Sequence, residues 1–130
     1  NKYYMDIDDI YSKSIKSEIS RKISGYKNQD VKKEIYDKNL LINANNIIEK
    51  LVSCKLKCYY CNKKMFIIFN KVRDQDQWTL DRLNNYDEHT CNNTIIACLK
   101  CNLERRRKNS EKFKFTKQLE TNQLIIKKIK

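Results

Sequence analysis

Two pairs of cysteines, Cys58-x-x-Cys61 and Cys98-x-x-Cys101, constrain this chain more than any other feature of its sequence. Two thiolates separated by two residues grip one metal ion from a tight turn, and two such turns complete a tetrahedron. The competing use of six cysteines is a disulfide framework. Nothing secretory accompanies them here, so the expectation is a four-thiolate Zn2+ site in a reducing, intracellular compartment, cytoplasm or nucleus. Cys54 and Cys91 are left over. Each reads as a small buried or half-buried residue, with Cys54, four residues before Cys58, open as a substitute ligand.

Thirty-six residues separate Cys61 from Cys98, against roughly 15–20 in a plain four-cysteine zinc module. The surplus accommodates a hairpin and a loop. Zinc held at both ends pins this insertion against a helix expected after Cys101, which lets Asp81 and Asn102 approach each other. A carboxylate and an amide oxygen are hard ligands, suited to Mg2+ or Mn2+ rather than zinc. A cation between them can polarise a phosphate and stabilise a leaving oxygen.

Composition narrows the partners. The 130 residues carry 28 Lys and Arg against 16 Asp and Glu, a formal charge of +12. Such a domain attracts polyanions, and nucleic acid is the usual partner. The plainer source of the charge is a Lys-, Asn- and Ile-rich composition of the kind AT-rich coding sequence gives. One Gly and no Pro exclude a Gly-rich phosphate loop. No apolar run approaches the roughly 18–20 residues of a membrane span, so no membrane partner is expected. The chain opens Asn1-Lys2-Tyr3-Tyr4, without an initiating Met or a signal-peptide core, and reads as a domain fragment.

Ile7, Tyr11, Ile15, Ile19 and Ile23 recur every four residues and predict an amphipathic helix that begins near Asp6, Asp8 and Asp9 and ends at a Gly25 cap. Its stripe faces either the core or a second copy, which leaves a homodimer open. A short helical piece is expected over Val31–Asp37, and a helix from Ala44 to about Val52 capped by Asn43. Short strands are expected at Met65–Phe69, Gln77–Asp81 and Thr94–Ala97, a loop from Asn84 to Thr90, and a helix from Asn102 through Lys108. The predicted fold is α+β: an N-terminal helical extension (1–53), a small zinc-stapled ββα core (54–112) and a basic C-terminal tail (113–130).

Trp78-Thr79-Leu80-Asp81-Arg82-Leu83-Asn84-Asn85, then His89-Thr90-x-x-Asn93, then Cys98-Leu99-Lys100-Cys101-Asn102 resembles an HNH endonuclease with a structural zinc. The similarity is greatest to the recombination endonuclease VII-like branch and to HNH-like reading frames of large DNA viruses and mobile elements. It covers about Cys58 to Lys108, and its most specific part is Asn93 to Asn102. The resemblance implies a ββα-metal finger that hydrolyses DNA phosphodiesters. It implies Asp81 and Asn102 as ligands of the catalytic metal and Asn93 as the residue that braces the loop. Arg82 departs from the pattern, which has a His base there. Arg does not accept a proton near neutral pH; phosphate binding is its expected role.

His89 is the only histidine and hence the candidate base, unless it serves only to hold the loop together. Asp81 alternatively pairs with Arg82 or Arg105, and Asn102 alternatively caps its helix. Arg105, Arg106, Arg107 and Lys108, with Arg21 and Lys22, are the expected phosphate contacts. Three functions follow: a metal-dependent DNA endonuclease or nickase, a non-catalytic zinc DNA-binding module derived from one, or a protein-interaction zinc module. RNA is not excluded as a ligand.

Overall fold

In a computed structural model the described residues are 2–67 and 73–129, with side chains described over 13–67 and 73–120. They form a mixed α+β fold of four helices and one two-stranded antiparallel sheet. The helices are α1 (Lys2–Lys32), α2 (Ala44–Ser53), α3 (Leu99–Arg105) and α4 (Ser110–Ile129); the strands are β1 (Trp78–Arg82) and β2 (Thr94–Cys98). No described helix is long and apolar enough to cross a membrane.

The hairpin pairs Trp78 with Cys98, Leu80 with Ile96 and Arg82 with Thr94. Thr79 Oγ1 donates to Ala97 O at 2.8 Å, adding a side-chain rung to the ladder. Trp78, Leu80, Ile96 and Ala97 are buried in one core with Ile19 of α1, Ile47 and Leu51 of α2, Tyr60, Met65 and Phe113 of α4. Asn43 caps α2 as expected: its Oδ1 accepts from Asn46 N at 2.9 Å, and Asn46 Oδ1 accepts from Asn43 N at 3.3 Å, satisfying two otherwise orphaned donors. Ile47 and Leu51 face inward from it, while Ile48 is exposed.

Several expectations are corrected. α1 does not stop at Gly25 but runs on to Lys32, and residues 35–37 are not helical. A helix-interior Gly costs roughly 1 kcal/mol relative to Ala. The turn beyond it makes contacts that offset this: Tyr26 OH accepts from Leu80 N at 2.9 Å, and Asp30 is completely buried. The helix starts at Lys2, so Asp6, Asp8 and Asp9 lie past its first turn. Of the apolar stripe, Ile19 is buried and Ile15 and Ile23 pack on the core; the side chains of Ile7 and Tyr11 lie outside the described ones. Of the strand expected at Met65–Phe69, residues 65–67 form no strand, only a single bridge from Phe66 to Gln77, and Ile68 and Phe69 lie outside the described residues. The expected boundary at 53/54 falls between elements that share one core, and the one at 112/113 falls inside α4.

Candidate functional site

The first knuckle is a tight turn closed by Asn62 N to Cys58 O at 3.0 Å and Cys58 N to Lys63 O at 2.9 Å, with Asn62 in the left-handed region at φ 63°. Asn tolerates that conformation better than most residues. The second knuckle is the start of α3. Cys98 is its N-cap, and Cys98 Sγ accepts from Cys101 N at 3.4 Å. Tyr59 N donates to Ile96 O at 3.0 Å and so brings the first knuckle to the strand that ends in the second.

The sulfurs of Cys58, Cys61, Cys98 and Cys101 lie within 4.8 Å of one another, and no disulfide joins them. The cluster can hold a metal ion and is compatible with zinc. Four thiolates this close repel one another, and a cation among them stabilises all four together. Cys54 is half-buried, its thiol 3.5 Å from Leu51 O, and Cys91 is exposed; neither belongs to the cluster.

Beside β1, α1 and α3 enclose a cleft of about 850 Å3. Asp81, Arg82, His89 and Asn102 all line it, as do Lys22, Lys33, Arg73, Arg106 and Arg107. It therefore sets six cations around one carboxylate, a field that favours a polyanion.

Asp81 is buried and divides its carboxylate. Oδ2 accepts from Tyr60 OH at 2.5 Å and from Arg105 Nη1 at 2.8 Å. Burial first, and then the bond to Asp81, push the Tyr60 phenol up, so it stays a donor. Among the described residues no donor meets Asp81 Oδ1. Asn102 is not the cap of α3; that role belongs to Cys98. Its Nδ2 donates to Thr79 Oγ1 at 2.9 Å and to Leu80 O at 3.3 Å. Because Thr79 Oγ1 spends its proton on Ala97 O, these two partners both require a donor, which fixes the orientation of the amide. Asn102 Oδ1 then meets no donor among the described residues.

Asn93 ties the loop together. Its Nδ2 donates to Asn84 O and Glu88 O, both at 3.0 Å, and its Oδ1 accepts from Asn84 N at 2.9 Å. Arg82 spends one N–H on Asp87 O at 3.2 Å and is otherwise half-exposed in the cleft.

His89 is buried. Its backbone N donates to Asp30 Oδ2 at 2.9 Å, its Nδ1 lies 2.7 Å from Asp30 Oδ1, and its carbonyl accepts from Ile42 N at 2.9 Å. Tyr26 stacks on the ring, centroids 4.6 Å apart. Burial lowers the imidazole pKa below its ordinary value, against the opposing pull of Asp30. Asp30 is the residue that sequence reasoning passed over. It stands 59 positions from His89, in a stretch beyond Gly25 that reads as a polar connector.

The basic residues separate. Arg105 is corrected from phosphate contact to scaffold: it is 2% exposed, and its guanidinium is spent on Asp81 and on the carbonyls of Arg82, Leu83 and Lys108. Arg106, Arg107 and Lys108 are exposed at the end of α3. Lys22 is half-buried, donates to Gln77 Oε1 at 2.7 Å and sits 5.0 Å from the centre of the Trp78 ring; burial lowers its pKa to about 8. Arg21 is exposed and paired with Glu18, outside the cleft lining.

Compared with protein-family models, curated proteins and solved structures, the chain matches none.

Proposed function

We propose that this chain is a metal-dependent nuclease of HNH type that hydrolyses DNA phosphodiesters, built on a zinc-stapled ββα core. One observation carries the reading. Asp81 Oδ1, Asn102 Oδ1 and His89 Nε2 meet no donor among the described residues, and these three residues line one cleft with Arg82, Arg106 and Arg107. Acceptors left open in a cleft ringed by cations suit a cation and an activated water beneath a bound phosphate.

The donor set fits a hard divalent ion. Mg2+ is commonly held by one or two carboxylates together with substrate phosphates, and Asp81 Oδ1 and Asn102 Oδ1 are the oxygens that would hold it. When bound, that ion supplies positive charge at the scissile phosphate. The chain's own residues do the rest. Arg82, Arg106 and Arg107 bind and orient the backbone. His89 Nε2 accepts a proton from the attacking water as its oxygen bonds to phosphorus. The bond from phosphorus to the leaving oxygen breaks, and that oxygen takes a proton from solvent.

A second reading, a zinc-bound nucleic-acid-binding module without catalysis, is favoured by the pairing of Asp81 with Arg105 and by Arg82 where the family has its base. Incubation of supercoiled plasmid with the zinc-loaded chain and Mg2+ or Mn2+ separates the two. Nicking by the wild type, lost in Asp81→Asn and Asn102→Ala at unchanged zinc content, supports the nuclease. Plasmid binding without nicking leaves the module.

A further inference from the structure

The N-terminal helix supplies more than packing. We propose that Asp30 of α1 is a positioning residue of the cleft: it holds His89 as the Nδ1–H tautomer and presents Nε2 as a bare acceptor to the attacking water. This role rests on the nuclease reading above and adds to it a residue from outside the resembling segment.

The geometry has three parts. Asp30 engages His89 twice, through backbone N at 2.9 Å and ring Nδ1 at 2.7 Å. Both side chains are almost sealed from solvent, His89 at 3% exposure and Asp30 at 0%. The carboxylate is an acceptor, so Nδ1 must carry the proton, and in a neutral imidazole Nε2 is then the lone-pair nitrogen. Tyr26 stacks on the ring and Ile42 N holds the loop carbonyl, so the imidazole is fixed in orientation as well as in protonation.

Around this pair stand Tyr26 and Lys33 from the α1 side and Arg82 from β1. The two cations oppose protonation of the ring and Asp30 favours it. Burial tips the balance toward the neutral form, which is the form a base must have before it acts.

Replacing Asp30 by Asn makes a sharp test, because an amide has one acceptor end where the carboxylate has two. If Asn Oδ1 keeps the backbone N–H of His89, its NH2 faces Nδ1 and forces the proton to Nε2. The acceptor is then lost although the shape is kept. The chain has a single histidine, so its ring nitrogens are readable without assignment in the 15N-histidine-labelled, zinc-loaded protein.

The expected results are an Nδ1–H neutral ring at pH 7 in the wild type and an Nε2–H ring in Asp30→Asn. Nicking should fall on the order of 100-fold or more in that variant, with zinc content and plasmid binding unchanged. An Nε2–H ring in the wild type overturns the proposal even if the variant does not fold. Equal nicking by wild type and Asp30→Asn overturns the role of Asp30 and leaves the nuclease reading standing. A wild type that binds plasmid but never nicks removes the nuclease reading and this role with it.

Discussion

Arg105 Nη1 donates to Asp81 Oδ2 at 2.8 Å inside the protein, where both side chains are nearly inaccessible. The same guanidinium also closes onto three backbone carbonyls, tying the end of β1 to the end of α3. Arg105→Ala leaves a buried carboxylate without its cation, a change worth about 3–5 kcal/mol of stability. The neighbouring Arg106→Ala and Arg107→Ala should move stability by no more than about 0.5 kcal/mol. Urea unfolding of the three variants checks this contrast.

Those two exposed arginines should instead be felt in binding. On the order of five phosphate contacts gives a slope of log K against log salt of roughly −4 to −5. Removing Arg106 and Arg107 together should make the slope shallower by about 2, with little dependence on base sequence. Fluorescence titrations of a labelled duplex across a salt series measure it. An unchanged slope would move the phosphate track elsewhere.

Metal removal should dismantle the fold. The four sulfurs connect the first knuckle to the start of α3, and without a cation their charges repel. Chelation should collapse the helical circular dichroism cooperatively, and zinc should restore it. Serine at Cys58, Cys61, Cys98 or Cys101 should lower bound zinc below one per chain, whereas Cys54→Ser and Cys91→Ser should keep it at one. Metal analysis of purified variants decides this.

His89 gives stability a defined pH dependence. Its native pKa lies below the unfolded 6.5. Below pH 6.5 the unfolded chain therefore binds more protons than the native one, and stability falls as pH drops from 6.5 through the native value. The slope from this group cannot exceed about 1.4 kcal/mol per pH unit. It should be missing from His89→Gln when urea midpoints are compared between pH 5 and 8. Nicking should share the direction, flat at neutral pH and declining on the acid side.

Local chemistry was readable from the sequence wherever it is written into neighbouring residues. The CxxC spacing located the sulfur cluster, the Asn43 cap located α2, and the short strands expected at Gln77–Asp81 and Thr94–Ala97 fall within a residue of the observed hairpin. What stayed hidden depends on contacts between distant segments. Gly25 looks like a stop because local propensity says so; it lies within a helix because Tyr26 and Asp30 find partners on β1 and the loop. Arg105 looks like its neighbours Arg106 and Arg107, and only packing shows that one of the three faces inward. Asp30 resembles any acid of a polar connector until His89 is placed against it. The expected basic tail is helical because Ser110 and Phe113 meet Tyr60, a contact across 50 positions.

Lys22, Tyr26 and Asp30 are spaced four apart on α1 and meet Gln77, Leu80 and His89 in turn. Each step along a helix turns the chain by about 100°, so the three contacts keep one common phase with the sheet edge. A single residue inserted after Ile23 would preserve the helix, its composition and its charge, yet swing Tyr26 and Asp30 away from the edge they read. The helix is thus held by rotation as well as by hydrophobicity: its phase, and not only its apolar face, decides whether Asp30 reaches His89.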